Sequence, residues 1–261
     1  MRRFLNKRTL LIAIAVLLLT LVSAVAGVYF FFNSPAFNER LRDSIIAEVE
    51  AQTGARVSLG RLRWSLSSQR MVLENITVRG TEPSTVPPLA HIESISAGVN
   101  FRSLLKRSVD LSDVNIVRPQ FHLLVSPEGR TNLPGPAKTT DSTLSRFTLS
   151  IHDLKVTEGS GLVNNKPTKL DFTLSNVVCD STYRKDTQTL SAKVSYKGVL
   201  SLPDQASIPY ELSTDFDFTR GTLIAQHADI ASGKSSLKVQ GRIDHALIGD
   251  LMGRLDYKGD I

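Results

Sequence analysis

One cysteine, Cys179, stands among 261 residues. An intramolecular disulfide framework and a cysteine-rich zinc site are therefore excluded. The thiol sits in an apolar run and reads as a small packed hydrophobe. Basic runs are scarce as well. The net charge of +6 comes from 31 Lys and Arg against 25 Asp and Glu, and Arg2, Arg3, Lys7 and Arg8 supply most of it, so no nucleic-acid partner is expected. His91, His122, His152, His227 and His245 are scattered, with no H-x-H or H-E-x-x-H pair. No G-x-S-x-G elbow or EF-hand loop appears. Gly233-Lys234-Ser235 resembles the end of a P-loop, but Ala228 occupies the place of the required glycine. Ser103-Leu104-Leu105-Lys106 fits S-x-x-K, with only partial companions in Ser112-Asp113-Val114 and Lys138-Thr139-Thr140. Asn75-Ile76-Thr77 fits the glycosylation sequon, a match common by chance. No enzyme, metal site or cofactor is expected.

What the chain has is one long apolar run. Leu10 to Phe32 carries no charge, and as a helix its 23 residues reach roughly 35 Å against a hydrocarbon core of about 30 Å. The basic residues 1–9 should stay in the cytoplasm and everything after Asn33 should be exported. Tyr29 and Phe30-Phe31-Phe32 then meet the far interface, which favours aromatic rings. A cleaved signal peptide competes, with Leu10 to Val22 as its apolar core and Ala24-Val25-Ala26 as its cleavage site. The apolar run continues past Ala26, which favours a retained anchor at residues 10–32.

Residues 33–54 read as an amphipathic helix. Ser34-Pro35 gives a start, Phe37, Leu41, Ile45 and Val49 recur every fourth residue, and Gly54 stops it. It should pack on the next sheet as a lid, or else lie on a membrane surface, where its carboxylates make anionic lipid a poor partner. From Arg56 the period changes to two. Leu62-Trp64-Leu66, Ile95 to Phe101, Leu190 to Tyr196 and Phe216-Phe218 alternate with polar residues, the mark of strands with one dry face. Only Phe101 to Ser108 looks like a short helical interruption. A weak repeat, apolar-x-[Asp/Asn]-apolar-x-apolar, begins at Leu73, Leu111, Ile151 and Leu174. In each copy the apolar phase slips by one residue at Asn75, Asp113, Asp153 or Asn176, as at a β-bulge. The turn-rich stretch 134–143 divides a β segment at 55–133 from another at 144–261. The sequence stops within what reads as strand, so a partner or further chain is expected at that edge.

The order of these elements resembles the N-terminal region of the AsmA-like family, over about residues 1–135. The resemblance rests on the helix ending Thr53-Gly54, then Val57-Ser58-Leu59-Gly60-Arg61-Leu62-Arg63-Trp64, then the strand through Ile92 to Phe101 with Leu104-Leu105. Leu111 to Pro119 and Pro127-Glu128-Gly129-Arg130-Thr131-Asn132 complete it. Gly54, Gly60, Pro119, Gly129 and Asn132 take the motif positions, and Glu128 stands where the family usually has Asp. The resemblance implies a mainly β protein: a transmembrane helix and an amphipathic helix, then an antiparallel twisted sheet curled into a groove. This chain is then a short relative or the N-terminal part of a longer one. It further implies a single-pass protein of the bacterial inner membrane, its body in the periplasm, serving cell-envelope biogenesis. The implied partner is phospholipid, bound or conducted towards the outer membrane. An assembly factor that pairs strands with an outer-membrane protein is the alternative. Candidate groove residues fall in two sets, Leu149, Ile151, Phe172 and Leu174, and Val194, Tyr196, Phe216 and Phe218. These residues could equally form a closed core.

Overall fold

The computed structural model describes residues 34–65, 67–100, 108–135, 148–244 and 252–260, and eight residues between Leu19 and Phe31, all eight helical. Most of the span 10–32 thus lies outside the described residues, as do the linker beyond Gly135 and the segment 101–107. Among the described residues no helix is long and apolar enough to cross a membrane.

Helix α1 (Pro35–Thr53) forms as its punctuation dictates. Ser34 caps it by accepting the Phe37 N–H at 3.2 Å, and Pro35 occupies the first turn, where its missing N–H costs nothing. Gly54 ends it in the left-handed region at φ 69° and donates to the Glu50 carbonyl at 2.9 Å. A Cβ on Gly54 would also stand 2.8 Å from the Gly135 carbonyl oxygen, so glycine is required twice over.

Eleven strands follow: β1 (Arg56–Ser65), β2 (Arg70–Arg79), β3 (Ala90–Val99), β4 (Ser108–Val125), β5 (Thr148–Asn165) and β6 (Leu170–Arg184). Then come β7 (Thr189–Ser201), β8 (Ile208–Thr219), β9 (Thr222–Ser232), β10 (Ser235–Asp244) and β11 (Met252–Asp260). They make one sheet in sequence order, so each strand pairs with the next. Tight turns close the later hairpins. Arg220 and Gly221, both at positive φ, link Thr219 to Thr222, and Gly233-Lys234 links β9 to β10, which accounts for that pseudo-motif.

The sheet is mixed, which corrects the expectation of an all-antiparallel one. β4 and β5 run parallel, with Leu111 beside Ile151, Asp113 beside Asp153 and Gln120 beside Ser160. Two copies of the sequence repeat therefore lie side by side in register. The strands on either side of segment 134–143 belong to the same sheet. Nor does the sheet close on itself, since β1 and β11 do not pair.

A transverse line of backbone irregularity crosses β1 to β6. Asn75, Arg118, Glu158 and Asn176 have φ of 55°, 47°, 53° and 51°. The register sets Gly60, Asn75, Glu93, Arg118 and Glu158 on one line across neighbouring strands. A left-handed residue costs about 1 kcal/mol and resets the alternation, so that apolar residues before and after it share a face. Thus Leu59 and Leu62 on β1, and Leu73 and Ile76 on β2, stay on one side although their parity differs. The repeat located two of these slips, Asn75 and Asn176. At its second copy Ser112 and Asp113 together oppose Gly98, a bulge between β3 and β4.

Candidate functional site: an apolar sheet face

Residues that share a row and a parity in the register share a face of the sheet. On one face, between the bend and one end of the strands, the rows read Leu62, Leu73, Ile95, Ile116, Val156, Cys179 and Val194, then Met71, Ala97, Val114, Leu154, Ser181, Ala192 and Phe216. Towards the other end they read Val57, Val78, Ala90, Phe121, Gly161, Leu174, Gly198 and Tyr210, then Leu123, Val163, Phe172, Leu200 and Ile208. The opposite face carries the charge. There Arg61 and Arg63 meet Glu74, Arg118 bridges Glu93 (2.9 Å) and Glu158 (3.2 Å), Lys193 meets Asp215, and Lys197 meets Glu211 at 2.8 Å.

Helix α1 covers only the first strands of the apolar face. Its Leu41, Ile45 and Ile46 pack against the buried cluster Leu59, Leu62 and Ile76. The same helix guards the free edge of β1, where the Val57 N–H donates to the Glu50 carboxylate at 2.7 Å. This placement agrees with the lid reading of the helix. Beyond it, the substantial contacts among the described elements are those between neighbouring strands. Among the described residues no second sheet faces the wall. Among the described residues no large side chain is fully sealed, and Phe121 (43%) and Ile208 (41%) stay well exposed. Among the described residues the wall is therefore a half-wetted apolar surface.

Seven of the candidate groove residues take this face by register; the side chain of Leu149, which pairs with Val109, lies outside the described residues. Their grouping differs from the two sets read in the sequence. Phe172 and Leu174 lie at one end with Leu200, Ile208 and Tyr210. Phe218, opposite Leu190, lies at the other end, and Ile151 stands there beside Leu111. Val194 and Tyr196 stand between. Cys179 belongs to the wall as well, its thiol pKa pushed up by burial and then by the Asp180 carboxylate.

The five motif positions shape the chain instead of lining the wall's open part. Gly60 lies where a Cβ would stand 3.0 Å from the Asn75 Cβ, on the bend. Pro119 follows the left-handed Arg118, and Gly129 at φ 78° closes the turn from Ser126. Asn132, 4% exposed, accepts the Leu124 N–H at 2.9 Å and donates to the His122 carbonyl at 2.8 Å, while its own carbonyl accepts from Thr81. It thereby stitches the loop after β4 between the ends of β2 and β4. Buried Glu82 does similar work, accepting from Gly80 N and Leu89 N. Sequence reading missed Glu82, which lacks any local signature. It also missed Tyr210, which hairpin counting from Tyr196 could have found.

Residues 1–203 match the model of the AsmA family. A search of the curated proteins finds no match.

Proposed function

The chain belongs to the AsmA family, and from that premise we propose that it is an envelope-biogenesis protein whose apolar sheet face binds or conducts phospholipid. One observation carries this reading: a largely apolar face across β1 to β10 of an open eleven-stranded sheet, roofed among the described residues only at its first strands. Apolar surface of that extent is costly in water and marks an interaction site. An acyl chain laid on it contributes roughly 0.8 kcal/mol for each CH₂ removed from water, so a short track holds a two-chain lipid. The bend serves the same end, because the phase slips keep one face dry along both halves of the longer strands. In this reading Leu10 to Phe32 anchors the chain in the inner membrane, and the sheet stands in the periplasm.

A strand-pairing assembly role is the second reading. It rests on β11, which pairs with β10 on one side and with nothing on the other among the described residues. A photo-crosslinking amino acid distinguishes the two when placed in the full chain at Val194 on the apolar face, at Lys193 on the charged face, or at Tyr257 on β11. Lipid adducts at Val194 and none at Lys193 support the lipid track. Protein adducts at Tyr257, with no lipid adduct at Val194, support strand pairing and overturn it.

A further inference from the structure

On the charged face, one row of side chains carries no Lys, Arg, Asp or Glu. Thr77 on β2, His91 on β3, Gln120 on β4 and Ser160 on β5 stand opposite one another in turn across four strands. The ion pairs of Arg118, Lys193 and Lys197 lie elsewhere on that face.

The loop between β2 and β3 turns this stretch into a basin. Buried Glu82 holds the loop down by accepting from Gly80 N at 2.9 Å and Leu89 N at 3.1 Å. Arg79 ties it to the sheet by donating to the Val86 carbonyl at 3.3 Å. Pro87 and Pro88 then stand as a wall beside the row, and the cavity they border measures about 570 Å³. A cavity of that size takes a small ligand.

Charge decides the class of that ligand. Arg79 is the one Lys, Arg, Asp or Glu in the lining, and the Glu82 carboxylate stands 4.0 Å from its guanidinium. A phosphate would meet a cation already countered, and a cationic ligand would meet no carboxylate of its own. What the row offers is hydroxyl, imidazole and carboxamide groups, side chains that both donate and accept. His91 Nδ1 is joined to Thr77 Oγ1 at 3.1 Å and His122 Nε2 to Asn164 Oδ1 at 2.8 Å, which orients both rings in the basin. Such groups match the hydroxyls of a sugar, and the proline rings match its C–H faces. The side chains follow one another at the strand spacing of about 4.8 Å, close to the advance per unit of an extended pyranose chain.

We infer that this basin binds a neutral oligosaccharide lying across β2 to β5. Gln120 and Ser160, the exposed members of the row, are its hydrogen-bonding partners, and Pro87 and Pro88 pack on its C–H faces. The site lies on the face opposite the apolar wall. It therefore stands whether or not the wall carries lipid, and it lets the chain hold a glycan while the other face is occupied.

The probes are cellotetraose and chitotetraose, both uncharged, added to the purified full chain in a detergent without a sugar head group. Saturation-transfer NMR should detect binding of at least one, with an affinity indifferent to salt, and a sulfated cellotetraose should bind no tighter. Gln120→Ala/Ser160→Ala removes two hydrogen bonds and should weaken binding by about 25-fold, fivefold for each. Both residues are exposed, so the melting temperature by circular dichroism should stay that of the unaltered chain. Lys193→Glu, on the same face but outside the basin, should bind the probe as the unaltered chain does. No transfer signal from either uncharged probe overturns the inference. So does binding that survives in the double variant, or binding that weakens with salt and favours the sulfated sugar.

Discussion

Replacing Phe216 with glutamate separates an open wall from a closed core. Phe216 stands on β8 opposite Ala192 and beside Ala225 of β9, small residues that leave its ring half-buried on the apolar face. Full burial of a phenylalanine contributes about 1.5 to 3 kcal/mol, so a half-buried one contributes about 1 kcal/mol. In a chain of this size that corresponds to a fall in melting temperature of about 3 °C. The glutamate can keep its carboxylate in water while the groove is empty, and the fold survives. An acyl chain laid over the same position has to desolvate that carboxylate, at a cost of several kcal/mol. Lipid affinity should then fall by about 100-fold or more. The assay is retention of radiolabelled phospholipid through gel filtration, with melting followed by far-ultraviolet circular dichroism. Lys193→Glu serves as the control, since Lys193 lies on the charged face and is largely exposed. It should leave lipid retention unchanged, with at most a small loss of stability from its exposed pair with Asp215 and the added carboxylate beside Asp180. Loss of the β signal in Phe216→Glu would show that Phe216 lies in a closed core. Retention of lipid by Phe216→Glu but not by Lys193→Glu would show that the faces have been assigned the wrong way round.

Three further expectations concern other parts of the molecule. Asn132→Ala strands two backbone groups, Leu124 N–H and His122 C=O, and should cost about 2 to 5 kcal/mol, measured by urea denaturation; a loss below 0.5 kcal/mol, as an order-of-magnitude threshold, would contradict the stitch. The Cys179 thiol, its pKa raised, should react with iodoacetamide at about pH 8 more slowly than a free thiol, and bound lipid should slow it further. A rate unchanged by lipid would argue against a track over β6. Asp113 is held below the ordinary carboxylate range chiefly by the Ser112 hydroxyl, against an opposing effect of burial, with Arg70 adding to the lowering. A depressed carboxylate stabilises the fold above its unfolded pKa of about 3.9 and loses that contribution as pH falls through the folded value. Asp113→Asn should therefore flatten the acid limb of the melting-temperature profile below about pH 4 and leave its shape near neutrality unchanged.

The alternation of Leu190 to Tyr196 or Phe216 to Phe218 made strands and their dry side legible in the sequence, because a period of two is a direct consequence of the pleat. The helix was legible for the same kind of reason: Ser34, Pro35 and Gly54 each fill a position that backbone geometry reserves for them. The bend was half legible. Asn tolerates the left-handed region, so Asn75 and Asn176 could be read as slips, whereas Arg118 and Glu158 adopt it with no preference of their own. Their neighbours Pro119 and Gly159 lie where a Gly159 Cβ would press on Val177 and Pro119, a constraint that exists only after the strands have paired. The parallel β4–β5 pair was hidden because hairpin logic presumes reversal after every turn. The 40-residue offset between the Leu111 and Ile151 repeats was its trace, and it equals the register of that pair. For the site, the face of each described candidate residue followed from parity. Which candidates neighbour one another did not, because that depends on the bulges that shift the register between β5, β6 and β7.

The most direct test of the central claim is mass spectrometry of the lipids extracted from the full chain after gentle solubilisation and extensive washing. A lipid track on the apolar face predicts near-stoichiometric phospholipid, sharply reduced in Phe216→Glu and unchanged in Lys193→Glu. Protein free of lipid, or lipid at equal levels in all three chains, would contradict it.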